Sequence, residues 1–558
     1  MPGVNLRDPL LYLQLVVILL LGLMIVYPAT ILLLESFKGR DGAFTLDWYY
    51  QAYTSPRNYR ALLNTLIIAT GTMLTATSIG TALAWVVVRT NVPGRAIIQI
   101  GAVIPFILTS FTGALAWMLL AAPGVGLINQ LWAFLGGTGP LVNIYSLTGI
   151  IFVGAMHDIP LVFLLVVGAL RSMDPSLEEA SLASGASIWS TATRVTLPLV
   201  RPAILSAALL VFVLAAEQFG VPAVLGSPSG IRVLTTAIIE AQAVYPPRTS
   251  LGAALCVNLL VIAMLGLWLQ RRAIGGRSFT TVQGKSAQPR TIDIGRFRWV
   301  ILGICIVYML LAIVLPLATL FVSSIRTVWT ADFRWEQFTF QNYYWVLFDY
   351  PITQRAIRNS LFLGVVGATI GMLFCAVISF LILRTKLPGN KLLDYLSMLP
   401  LGFPGVVLAY GLLQTWINPP IILYGTIWIL LVAYITRDLP LGVRATSSTL
   451  MQIHPELEES SLSSGANWFQ TFKNITLPLL KPGMIAGWIL LFVSFTRELS
   501  ASILLYSPRL EVLSVAIYDM HYDGNFRGLS ALAFLQILLA LVMLGLAKWV
   551  GGMGKDRH

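Results

Sequence analysis

Charge is scarce in this 558-residue chain. Asp, Glu, Lys and Arg make up 11% of it, against about 25% in an average soluble domain. Apolar residues make up 57%. A soluble fold cannot hide that much apolar surface, so a membrane protein with many spans is the expected class. Cysteine is nearly absent. Cys256, Cys305 and Cys375 stand singly inside apolar runs, which excludes a CxxC metal site and gives no basis for a disulfide. Histidine is equally rare, and His157, His454, His521 and His558 are too far apart to form a ligand motif. No HExxH or other clustered catalytic motif is present, which argues against a membrane enzyme. The net charge of +12 does not point to nucleic acid. The basic residues sit in short segments between apolar runs, as the positive-inside rule requires.

Apolar runs long enough to cross a bilayer fall near 10–34, 62–88, 96–121, 147–170, 203–225 and 250–269. A second set falls near 299–323, 359–383, 393–417, 421–436, 484–506 and 529–549. The first is too long for a signal-peptide core and has no small-residue cleavage pattern, so it reads as a retained span. With the N-terminus inside, 23 of the 36 Lys and Arg fall on inner segments and 12 on outer ones. This predicts both termini in the cytoplasm, with lipid as the surrounding partner. The basic stretch 271–298, with Gly275, Gly276 and Ser278, reads as a cytoplasmic linker between repeats at 1–270 and 299–558.

The two halves resemble each other. NTLIIATGT from Asn64 matches NSLFLGVVG from Asn359, and RTNVPG from Arg89 matches RTKLPG from Arg384, both at an offset of 295. HDIP at His157 matches RDLP at Arg437 at an offset of 280, so the first half carries about 15 extra residues between its third and fourth spans. Segments 174–204 and 454–484 share 15 of 31 residues without a gap. The expected fold is an all-α membrane protein of about 12 helices, in two parallel six-helix repeats related by a pseudo-twofold axis. The HDIP and RDLP sequences are expected to end or interrupt the fourth span of each half.

The inner loop after each fourth span carries the most specific pattern. It reads LEEASLASGASIWSTATRVTLPLVRP from Leu177 and LEESSLSSGANWFQTFKNITLPLLKP from Leu457. Pro175 and Pro455 suit a helix start. Glu178, Glu179, Glu458 and Glu459 then lie in first turns, where the helix dipole favours negative charge. Gly185 and Gly465 can turn the chain, and Pro198–Pro202 and Pro478–Pro482 are expected to end the unit before the next span. The pattern resembles the EAA loop of ABC importer permeases. Glu179, Gly185, Leu197 and Pro198 fit its spacing, as do Glu459, Gly465, Leu477 and Pro478. The departures are Ser181, Ser460 and Ser461 for Ala, and Val195 for Ile.

The resemblance implies that each loop docks into an ATPase subunit, so two loops imply two ATPase copies. It also implies a periplasmic or lipoprotein substrate-binding protein outside. The chain itself is expected to bind no cofactor; ATP and Mg²⁺ belong to the partner. The one GKS, Gly284–Ser286, has Phe279 where a phosphate loop needs its leading glycine. The whole chain resembles fused permeases of the ferric-iron type. The residues that carry this are EQFGVPAVLG at Glu217, VLTTAI at Val233, RELSASILLYSP at Arg497 and VLSVAIYDM at Val512. Thiamine, phosphonate and sugar-phosphate importers belong to the same branch. A secondary transporter would explain the repeats but not the twin loops.

Charges inside spans mark a candidate pathway or gate. Glu217 and Gln218 lie in the fifth span, and Arg497 and Glu498 in its counterpart, with Glu217 and Arg497 at matching positions. They are either a solute-facing lining or an ion pair. Iron(III) prefers several hard oxygen ligands, and no clustered Tyr–carboxylate set occurs in the spans, so no metal site is assigned.

Overall fold

The structure is a computed structural model that describes residues 9–106, 108–274, 291–329 and 335–552. Gly284–Ser286 and most of the linker lie outside the described residues. Among those described there is no β-strand, only three isolated bridges. Nine helices among the described residues are long and apolar enough to cross a membrane, and up to twelve spans result if each of three bent helix pairs counts as one.

The expected third and ninth spans are each a bent pair. Arg95–Phe106 and Ser110–Ala121 meet at 98°, and Asn390–Gly402 and Gly405–Trp416 at 110°. Pro105, Pro400 and Pro404 stand at these corners, where each removes a backbone donor. Thr109 restarts the helix by accepting the Thr112 amide at 2.9 Å. The third pair, Pro222–Ser229 with Leu234–Ala243, meets at 79°.

Other prolines do not break their helices. Pro160 lies inside Leu147–Ser172 and Pro440 inside Ile427–Leu450, so the fourth span of each half passes through its HDIP or RDLP sequence. Both prolines are buried against neighbouring helices, and this packing outweighs one lost hydrogen bond. Prolines 28, 198, 316 and 478 use another device. Each follows by two residues the end of a π-turn: Gly22–Val26, Ala192–Thr196, Leu310–Val314 and Phe472–Thr476. The extra residue in such a turn relieves the clash and the missing bond that proline imposes. As a result Pro198, Pro202, Pro478 and Pro482 do not end the loop unit. The helices Ile188–Glu217 and Trp468–Arg497 run straight through them.

The described chain divides into two compact units. One comprises 1–49, 241–257 and 340–558; the other comprises 50–240 and 258–339. In the first, Val17, Leu21 and Ile25 of the N-terminal helix share a core with Cys375, Ile378, Leu381, Leu393, Leu439 and Val443. In the second, Cys305, Tyr308, Ala312 and Ile313 of the helix Phe297–Ser324 share a core with residues of Pro56–Arg89 and Leu147–Ser172. The opening helix of each sequence half therefore packs into the unit built mainly from the other half. In the second unit, a Cβ at Gly80 would stand 2.7 Å from Val162, so this glycine permits the close approach of its two helices.

Candidate functional site

The two loops fold alike, residue for residue. Pro175 and Pro455 precede the short helices Ser176–Ala183 and Glu456–Ser463. The Ser176 amide bonds to Asp174 at 2.9 Å and holds its carboxyl below the usual range. Each helix ends in a Schellman turn. The Gly185 and Ala186 amides reach Leu182 and Ser181 carbonyls at 3.0 and 3.2 Å; those of Gly465 and Ala466 reach Leu462 and Ser461 at the same distances. The turn needs a positive φ, which is +83° at Gly185 and +90° at Gly465. Ser187 then caps the next helix through the Ser190 amide, and Asn467 does so in a reciprocal box with Gln470. Ser181 bonds to Thr191, and Ser461 to Thr471, each at 2.9 Å, closing the loop on itself.

The two glutamates of each pair behave differently. Glu179 and Glu459 are exposed, whereas Glu178 is 5% and Glu458 7% accessible. Glu178 pairs with Arg89 at 3.0 Å and accepts the Thr196 hydroxyl at 2.5 Å. Glu458 pairs with Arg384 at 2.8 Å and accepts from Thr476 at 2.9 Å. Arg89 also donates to the Leu170 carbonyl at 2.9 Å, and Arg384 to those of Leu450 and Ile453 at 3.0 and 2.7 Å. Each arginine thus fastens the end of one long helix to the end of another and to the loop. Removing charges from water costs several kcal/mol, offset only where partners are well placed. The function of this clasp is therefore positional: it fixes where the loop stands. Leu197, Pro198, Leu477 and Pro478 lie just beyond it, in the first turn after each π-turn. Leu177, Leu457, Trp189 and Phe469 point outward, the last two 76% and 56% exposed.

Arg89, Arg384, Thr196 and Thr476 were not among the residues that sequence reasoning singled out. The repeated RT-x-x-PG was the available signal, because it sets one arginine at the end of the same span in both halves.

The candidate pathway residues sit at helix breaks. Glu217 and Arg497 are the last residues of their helices, and Gln218 and Glu498 are extended. Unwound backbone at such depth must find partners within the protein. Thr235 donates to the Gln218 carbonyl at 3.0 Å. Ser502, at 2.6 Å, and Ser514 both donate to the Glu498 carbonyl. The Glu498 carboxylate accepts the Ala501 amide at 2.8 Å and pairs with Arg437. Asp438 and Glu498 lie near Arg497, and Glu217 lies near Asp158. No group of three or more His, Cys, Asp or Glu able to hold a metal occurs among the described residues.

The family model described as the inner membrane component of binding-protein-dependent transport systems matches twice, over 76–276 and 367–551. The chain belongs to this family. Each match contains one clasped loop, so this inner membrane component carries the family's unit in duplicate. It is 26% identical over 548 residues to the ferric transport system permease protein FbpB of Actinobacillus pleuropneumoniae, covering 96% of this chain and 77% of the relative. It is 24% identical to the Fe(3+)-transport system permease protein FbpB 2 of Haemophilus influenzae, over 88% of this chain and 90% of the relative. A solved bacterial ABC transporter that imports alginate aligns with 48% of the chain and 96% of its own, at 22% identity and a TM-score of 0.41. The many apolar helices and the family together make this a multi-pass membrane protein.

Proposed function

We propose that this chain is the permease subunit of an ABC importer for ferric iron. It receives its substrate from a periplasmic or lipoprotein binding protein and is driven by two copies of a cytoplasmic ATPase. The observation that carries the reading is the duplicated loop, held by a buried clasp and presenting Trp189 or Phe469 outward. A loop fixed so firmly at its base transmits force, where a plain connector would not need to. Iron is supported by relatives named for ferric transport that cover most of the chain. ATP and Mg²⁺ belong to the partner subunits, and both termini and both loops face the cytoplasm, as the distribution of Lys and Arg favours.

Native mass spectrometry of the purified complex should give two ATPase subunits per permease, and the permease alone should not hydrolyse ATP. A single ATPase per permease would overturn the two-loop reading. Uptake into proteoliposomes containing the whole system should follow radioactive Fe³⁺. Uptake of thiamine, a phosphonate or a sugar phosphate in its place would keep the machinery and replace the substrate.

A further inference from the structure

The extra residues of the first half form a structure of their own. Segment 122–146 joins Ser110–Ala121 to Leu147–Ser172 and contains the helix Leu127–Phe134. The corresponding connection in the second half, between Trp416 and Ile427, has no helix. Asn129 holds the insert together. Only 4% exposed, it donates to the carbonyls of Ala121, Ala122 and Val142 and accepts the Val142 amide at 3.0 Å. The Trp132 ring covers Gly137 so closely that a Cβ there would fall 2.1 Å from it. This rigid element exposes Leu131, Phe134 and Leu135 at 59, 85 and 70%.

Two observations identify what covers that face. Segment 122–146 has no Asp, Glu, Lys, Arg or His, whereas the connection after the first span, 37–60, carries Lys38, Arg40, Asp41, Asp47, Arg57 and Arg60, and the one after the fifth, 218–248, carries Arg232, Glu240 and Arg248. A soluble partner's interface has a polar rim and direct hydrogen bonds, and Leu131, Phe134 and Leu135 offer it no polar atom. The second observation is depth. Ser110–Ala121 has 12 residues, about 18 Å of helix against a hydrocarbon core of about 30 Å. Its companion Arg95–Phe106 is turned 98° away and adds little height. The helix that the insert runs into, Leu147–Ser172, has 26 residues, about 39 Å, and does cross that core, so the insert meets the bilayer boundary where it joins Leu147.

We propose that Leu127–Phe134 is an interfacial foot, lying in the headgroup–acyl boundary at the end of Leu147–Ser172 opposite the first clasped loop. Its occupant is lipid. To test this, Phe134→Cys would be labelled with an environment-sensitive fluorophore in the full-length protein and reconstituted in phosphatidylethanolamine–phosphatidylglycerol vesicles. The native cysteines are buried, and labelled Gln51→Cys on the charged connection serves as the aqueous control. Spin-labelled lipids should quench the probe at about 5–10 Å below the surface, and aqueous iodide should quench it several-fold less than at Gln51. Leu135→Cys should give the same result, which guards against a local effect of one label. Iodide access equal to that at Gln51 in lipid alone would overturn the proposal and mark the face as a docking surface for a soluble protein.

Discussion

Arg89 and Glu178 are separated by four α-helices in sequence, yet they meet at 3.0 Å with almost no solvent access. Arg384 and Glu458 repeat the pair at 2.8 Å. Breaking a buried pair on one side should cost about 3–5 kcal/mol, because the remaining charge is left uncompensated. Arg89→Met and Glu178→Leu should each lower the thermal midpoint of the purified permease and weaken ATPase assembly. The double variant should be milder than either single one. Additive single effects in that cycle would show that the two residues do not act as a pair.

The positive φ at Gly185 and Gly465 gives a second expectation. Nothing lies within 4 Å of a Cβ added at either site, so steric crowding plays no part and only backbone strain counts. That strain is about 1–3 kcal/mol. Gly185→Val and Gly465→Val should leave the spans inserted but lower ATPase docking or coupled uptake, while Gly185→Asn, which tolerates this conformation, should retain more. Reconstituted uptake and ATP hydrolysis measured side by side decide the matter. Coupled uptake at the unmodified level in both Val variants would remove these turns from transmission.

At the helix break of the second half, Glu498 does two jobs. Its carboxylate pairs with Arg437 and accepts the Ala501 amide. Glu498→Gln keeps an acceptor for the amide but loses the charge; Glu498→Ala loses both. Thermal midpoints should fall in that order, with roughly 1–3 kcal/mol for each lost charged hydrogen bond. Equal midpoints for the Gln and Ala variants would show that the amide contact contributes nothing.

Asn129 should be the fastener of the interfacial insert. Asn129→Ala removes three donated bonds and one accepted bond. Amide exchange should rise across 122–146 while the helix Leu147–Ser172 stays protected. Unchanged exchange would show that the apolar contacts of the insert hold it without Asn129.

Much of this architecture was legible in the sequence. Long apolar runs revealed the spans, because a bilayer demands about twenty apolar residues in succession. Two copies of the Glu-Glu, Gly and Leu-Pro pattern placed the loops, because repetition at fixed spacing survives drift in the residues between. Contacts between distant segments were not legible. Nothing local to Glu178 names Arg89 as its partner, and nothing in Val17 or Tyr308 shows that each opening helix packs into the unit of the other half. Prolines were misread for a related reason. Pro198 and Pro478 look like helix ends when only the proline is considered, and the π-turn that accommodates each of them has no sequence signature of its own.

The continuity of those helices has a mechanical consequence. Ile188–Glu217 and Trp468–Arg497 each contain 30 residues, about 45 Å at the usual rise. One end of each rod belongs to a clasped loop and the other stops at the broken backbone beside Gln218 or Glu498. A stiff rod cannot absorb a displacement by bending at a joint between loop and span, since no such joint exists. Movement applied near Trp189 or Phe469 must therefore arrive at Glu217 or Arg497 as tilt or rotation.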